Sequence, residues 1–299
     1  MKILFCSDGS PQAENAVRFG ALIAAACHAE TSVLGIVEKT GHEDAVLQAL
    51  RRSQEILKQY HLNAELITKA GRPVPEIIKR TQETKYDLVV IGAARKGARG
   101  PLYMSARAYK IIESVEPPVL VVIGERTALR RILLCTGGTK LANTTVNFAG
   151  EMARRANASV DLFHVLAEAP AVYANLIKSE EDVDQFLQSD SKLGRNLRHQ
   201  KELLQKMGVP CEVRLPHGLV LDELLKELQR TEYDLVVSGS SPAQDRLRTY
   251  IMGNLTREIV NRAELPVLVV RSGTKSDHGL GGFINHLLHR PSGPSAKTT

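Results

Sequence analysis

The stretch KILFCSDGSPQAENAVRFGALIAAACHAETSVLGIV, beginning at Lys2, returns in altered form as RILLCTGGTKLANTTVNFAGEMARRANASVDLFHV, beginning at Arg131, an offset of 129 residues. The likeness continues downstream. KYDLVVIG from Lys85 reappears as EYDLVVSG from Glu232, and PPVLVV from Pro117 as LPVLVV from Leu265, at offsets of 147 and 148. The second copy therefore carries about 18 additional residues between its second and third strands. A repeat on this scale means that one fold is built twice within the 299 residues, each copy long enough to bury its own core. The expected division is a first domain over 1–126, a second over 127–272, joined near 124–130, and a Gly-, Ser-, Pro- and Lys-rich flexible tail over 273–299.

Within each copy, short apolar runs such as KILFCS, TSVLGIV, NAELIT, DLVVIG and PVLVVI are continuous rather than alternating, as parallel strands covered on both faces require. Between them PQAENAVRFGALIAAACH, HEDAVLQALRRSQEILKQY and VPEIIKRTQETK place apolar residues at helical spacing. The order β-α-β-α-β-α-β-α-β predicts an α/β fold: two tandem doubly wound open parallel sheets with right-handed crossovers. In the second copy the additional residues extend the helix after its second strand, and Ser179 three residues before Asp182 has the form of a capping box.

Composition narrows the function classes. The chain is 43% hydrophobic and 24% charged, the proportions of a globular protein. Its net charge of +6 comes from basic residues scattered along helices, which argues against nucleic acid as a partner. No apolar run approaches the roughly 20 residues of a membrane span, and the strand pattern starts at once from Lys2, so neither export nor membrane insertion is expected. Cys6, Cys27, Cys135 and Cys211 show no metal or disulfide spacing, so a reducing, cytoplasmic setting and no metal site are expected. No nucleophile, base and orienting group stand at motif spacing, so a binding module is expected rather than an enzyme.

In such sheets ligands bind beyond the carboxyl ends of the strands, where strand order reverses. That edge collects the loop Ser7–Ser10 after the first strand, Val37 at the end of the second, and the loop from Gly92 to Ser105 after the fourth. With ILFCSDGS, AGRPVPEII, YDLVVIG and PPVLVV in this order, the chain resembles a tandem universal stress protein over residues 1 to about 272. The resemblance implies a stress-associated regulatory module. In the family's ATP-binding branch the loop after the fourth strand carries G-x-x-G, nine residues, then Gly followed by Ser or Thr. Such glycines let backbone N–H groups approach phosphate oxygens. The implied ligand is ATP or another adenine nucleotide, with Mg²⁺ accompanying it.

Aligned to that motif, Gly92 takes the first glycine position, Arg95 the second, Ser105 the third and Ala106 that of the Ser or Thr. Gly97 and Gly100 fall out of register, and no G-K-[ST] closes a Walker loop. Arg95, Lys96 and Arg99 offer charge to an anion that the backbone no longer cradles. Asp8 matches the acid that the family associates with the nucleotide and Ser10 follows it; an Asp at a strand end also serves as a helix cap, and both roles stay open.

The second copy departs differently. Gly137 and Thr139 replace Asp8 and Ser10, Gly239 is kept, Pro242 replaces the second glycine, and Gly253 with Asn254 stand for the closing pair. Val165 and His164 end its second strand, and His217 precedes its third helix. The candidate site residues are therefore Asp8, Ser10, Val37, Gly92, Arg95 and Ser105 in the first copy and Thr139, Val165, Gly239, Gly253 and Asn254 in the second. The alternative expectation is a non-nucleotide scaffold for protein partners, in which one or both ancestral sites have decayed. In either case PPVLVVI and LPVLVVR are expected to pair within the chain as a pseudo-dimer, and a homodimer through the lengthened helix is a further expectation.

Overall fold

A computed structural model describes residues 1–93, 105–166, 182–242, 250–251 and 254–271. In the first half, β1 (Lys2–Cys6), α1 (Pro11–Ala26), β2 (Glu30–Val37), α2 (Glu43–Gln59), β3 (Ala64–Ala70), α3 (Pro73–Glu83), β4 (Leu88–Gly92), α4 (Ala106–Ser114) and β5 (Val119–Val122) follow in order. The second half runs β6 (Arg131–Cys135), a 3₁₀ turn (Lys140–Ala142), α5 (Asn143–Ala156), β7 (Ser159–Phe163), α6 (Asp182–Gln188), α7 (Lys192–Lys206), β8 (Cys211–Arg214), α8 (Val220–Arg230), β9 (Leu235–Pro242), β10 (Tyr250–Ile251), α9 (Asn254–Arg262) and β11 (Val267–Arg271). Alternating strands and helices thus form the expected doubly wound sheet twice. The segment proposed as a tail, 273–299, lies outside the described residues.

The two halves share one sheet, in the order β3-β2-β1-β4-β5-β11-β9-β6-β7-β8. Neighbours within each half are parallel. At the centre β5 and β11 pair antiparallel, with Val119 opposite Val269, Leu120 opposite Leu268 and Val121 opposite Val267. Each strand closes the other's edge, so the most apolar run of each copy is kept from water and from other chains. Val119–Val122 and Val267–Val270 are all at or below 1% exposed.

Alternate residues of these strands feed two helical layers. One core contains Ile3, Phe5, Val90 and Leu120 under α1, α2, α5 and α7; the other contains Leu4, Val89, Ile91 and Val121 under α3, α4, α8 and α9. Leu50 and Leu57 of α2 and their counterparts Leu197 and Leu204 of α7 are all buried to 0%, each worth about 2 kcal/mol by burial. They keep α2 and α7 in equivalent positions over their half-sheets.

The structure departs from the sequence expectations in two places. The additional residues of the second copy do not lengthen one helix. They form α6, and the chain stops at Ser189–Ser191 before α7 begins. Ser191 Oγ accepts from Gly194 N at 2.9 Å, a new N-cap, and a Cβ on Gly194 would lie 2.6 Å from the Phe186 carbonyl oxygen, so the two helices meet too closely for a larger residue. The capping box expected at Ser179 lies outside the described residues. Second, β9 runs three residues past Gly239, the counterpart of the last residue of β4, and pairs antiparallel with β10: Ser241 with Ile251 and Pro242 with Tyr250.

The halves also meet through side chains. Arg257 of α9 reaches Glu113 of α4 at 3.3 Å, Tyr109 of α4 donates to Asn261 of α9, and Arg155 of α5 donates to the Cys27 carbonyl at the end of α1 at 3.4 Å.

Candidate functional site

At the carboxyl end of β1 the backbone turns through Ser7–Ser10. Gly9 sits at φ +76°, and a Cβ there would stand 2.8 Å from Ala49 Cβ on α2, so glycine is demanded both by conformation and by space. Asp8 is exposed and its Oδ1 accepts from Ser10 N at 3.0 Å, while Ser10 Oγ accepts from Ala13 N at 3.2 Å and caps α1, with Pro11 in the first turn. The capping role open to Asp8 falls to Ser10; Asp8 shapes the turn before it. Beneath them, buried Ser53 of α2 donates to Ser7 Oγ at 3.1 Å.

Val37 ends β2 at 8% exposure, and its carbonyl accepts from Gly71 N at 3.0 Å. Gly92 ends β4, and its missing side chain has a structural reason. A Cβ would come within 2.3 Å of the Gln12 carbonyl oxygen and 2.7 Å of Ala13 N, because the first turn of α1 lies against it. Arg95, with Lys96 and Arg99, is outside the described residues. Ser105, in the place of the third glycine, caps α4 by accepting from Ala108 N at 3.2 Å. Beside the start of α1, a pocket of ≈ 360 Å³ opens at the ends of β4 and β5, lined by Gln12, Asn15, Ala93 and Ile123 and reaching Glu264 of the second half.

One link at this edge is absent from the sequence expectations. Arg107, in the first turn of α4, donates Nη1 to Glu38 Oε1 at 2.8 Å and Nη2 to Glu38 Oε2 at 3.1 Å. Glu38 directly follows β2, so the pair joins the exit of β2 to the entry of α4 while β1 lies between β2 and β4 in the sheet. A cation in a first helical turn that has no acidic residue was the available signal.

In the second copy, side chains of α7 tie down the turn after β6. Gln200, fully buried on α7 where the first copy has Ser53, takes a 2.8 Å bond from Thr136 Oγ1 and donates to the Thr139 carbonyl at 3.0 Å and Asn143 Oδ1 at 3.3 Å. Asn196 donates to the Gly138 carbonyl at 2.9 Å, and Leu193 lies so close over Gly138, at φ +64°, that a Cβ there would be 2.1 Å from its methyl. Thr139 does not cap a helix; a 3₁₀ turn intervenes before α5. Gly239 and Ser240 pair with Val270 and Arg271 of β11, and Ser241 and Pro242 pair with β10, so the first half of the motif is strand rather than loop. Gly253 is outside the described residues, and Asn254 opens α9.

The counterpart of Val37 is Leu166, whose carbonyl accepts from Gly218 N at 3.1 Å as Val37's does from Gly71 N; Val165 is a core residue one position earlier. His164 Nδ1 lies 2.8 Å from the Thr136 carbonyl oxygen and packs the same turn, while His217 is exposed. Cys6 and Cys135, equivalent at the ends of β1 and β6, pack against the core, and burial pushes both thiols up to about 12. Neither offers a thiolate at neutral pH. Among the described residues no helix is long and apolar enough to cross a membrane.

Comparison with known proteins adds the following. The family model described as the universal stress protein family matches residues 1–122 and again 128–271. A universal stress protein of Methanocaldococcus jannaschii is 22% identical over 146 residues, covering 49% of this chain and 84% of the relative. Among solved structures, a universal stress protein from Archaeoglobus fulgidus aligns with a TM-score of 0.68 at 17% identity, covering 91% of this chain and 98% of that one. A functionally unknown protein from Pseudomonas aeruginosa aligns with a TM-score of 0.67 at 14% identity, covering 91% and 92%. At these identities the structural likeness speaks for the fold.

Proposed function

Because the chain belongs to the universal stress protein family and carries two of its domains, we propose that it is a stress-associated regulatory module that binds an adenine nucleotide, ATP with Mg²⁺ on its phosphates, at the strand-end edge of its first domain. The second domain then serves as a structural partner. The observation that carries this reading is the contrast between the two edges. Exposed Asp8, with a capped helix after it, occupies the first, whereas Gln200, Asn196 and Leu193 hold down the corresponding turn of the second and its β9 pairs antiparallel with β10. The central β5–β11 pairing supports reading the monomer as a pseudo-dimer.

A second reading, a scaffold without nucleotide, is favoured by Gly92, whose bare Cα serves the packing of α1. The two readings separate in a thermal-shift titration with ATP and Mg²⁺. A ligand at 100 times its Kd stabilises the folded state by about 2.7 kcal/mol, and Asp8→Ala is expected to reduce that shift. No shift at millimolar ATP leaves the scaffold reading.

A further inference from the structure

The Glu38–Arg107 pair suggests how phosphate is held beside α4 when the second and third glycines of the family motif are replaced by Arg95 and Ser105. The family motif places Gly then Ser or Thr at the positions of Ser105 and Ala106, so that backbone N–H groups meet the phosphates; here Ser105 Oγ is engaged with Ala108 N and Ala106 offers no hydroxyl. The next residue is Arg107. Its guanidinium presents two parallel N–H donors to the two oxygens of Glu38, the same fork that fits two oxygens of a phosphate. Arg107 stands in a helical turn with no acid of its own, where the exposed backbone donors already disfavour a cation, so it needs an anion from elsewhere. Glu38, from the exit of β2, supplies one across the β1 end.

We infer that Arg107 is the phosphate-holding residue of the first-domain site and that Glu38 is its internal stand-in, displaced when a nucleotide phosphate enters the fork. This rests on the nucleotide reading above. The side chains of Arg107 and Glu38 are 64% and 40% exposed, so the pair is accessible to a ligand and weak enough to exchange. A carboxylate carries one charge and a terminal phosphate nearly two, so exchange favours the phosphate. Affinity is then set by a competition within the chain.

Calorimetric titration of the full chain with ATP and, separately, with adenosine tests this. Arg107→Gln is expected to weaken ATP binding by about tenfold or more and to leave adenosine unchanged. Glu38→Gln, which removes the competitor, is expected to tighten ATP binding about two- to fivefold, an opposite sign that general damage to the fold does not produce. Wild-type protein that binds ATP, with both variants unchanged or with Glu38→Gln weaker, overturns the inference and leaves the nucleotide reading intact. Wild-type protein that binds neither ATP nor adenosine overturns both.

Discussion

Arg271, the last residue of β11, donates Nη2 to the Val115 carbonyl oxygen at 2.7 Å, so the end of the second domain caps the C-terminus of α4 in the first. The same guanidinium reaches the carbonyls of Ile112 and Glu116 and Ser240 Oγ, and the residue is 4% exposed. The carbonyls at the end of a helix lack intrahelical partners, and a cation is the natural group to satisfy them. Arg271→Met keeps the stem and removes the donors. It is expected to destabilise the chain by about 2–4 kcal/mol in urea unfolding, and a loss under about 1 kcal/mol would mean the cap contributes like an exposed pair.

The bases of the two half-sheets hold equivalent tyrosines with opposite surroundings. Tyr233 lies 2.6 Å from Asp161 Oδ2 and 2.7 Å from Glu227 Oε1, and burial first, then these two carboxylates, push its hydroxyl well above the usual tyrosine range. Tyr86 instead accepts from Arg80 Nε at 2.9 Å, and Arg80 also pairs with Glu65 at 3.3 Å. Tyr233→Phe leaves Asp161, 3% exposed at its side chain, without that donor and is expected to cost about 1–3 kcal/mol; Tyr86→Phe leaves Arg80 still paired and should cost under about 1 kcal/mol. Denaturant midpoints of the two variants, in the reverse order, would contradict this.

Glu151 of α5 ties the domain contact to pH. Burial works to raise its pKa, but hydrogen bonds from Arg154 and Arg155 outweigh it and hold the carboxyl below its ordinary 4.5. A lowered folded value contributes stability that is complete above the unfolded pKa and is lost as pH falls through the folded one. Glu151→Gln is therefore expected to lower stability by about 1–2 kcal/mol at pH 7. The gap to wild type should narrow below about pH 4.5; a gap that is constant down to pH 3 would assign the loss to packing instead.

Much of this architecture was legible in the chain because its causes are local. Runs such as DLVVIG and PVLVVI are continuous and apolar, as strands covered on both faces require, and the expected pairing of PPVLVVI with LPVLVVR is the antiparallel contact of β5 with β11. What escaped depends on contacts distant in sequence or on a cap within a helical period. LGRNLRHQKELLQK continues the apolar spacing of DVDQFLQ, and only the Ser189–Asp190–Ser191 cluster marks the break between α6 and α7. Arg271 simply ended an apolar run, with nothing in the run to show that it would reach α4. Val165 and Leu166 are adjacent just beyond β7 and equally apolar, and only the bond from Gly218 N to the Leu166 carbonyl distinguishes them. In the first domain, Gly92 was identified by its position in a motif, while its packing against Gln12 needed the helix to be in place.

Gln200 tests whether the second edge is closed for structural reasons. It is fully buried and serves Thr136, Thr139 and Asn143 together. Gln200→Ala is expected to cost about 2–3 kcal/mol by leaving buried polar groups without partners, with ATP affinity unchanged. A change in affinity measured at equal saturation of folded protein would place ligand at the second edge.

If the first edge holds nucleotide and the second does not, the chain takes up a single nucleotide. Isothermal titration of the full chain with ATP and Mg²⁺ measures this directly as a stoichiometry. One nucleotide per chain, weakened by Asp8→Ala and by Arg107→Gln, is the result predicted; two per chain, or no heat at millimolar ATP, would contradict it.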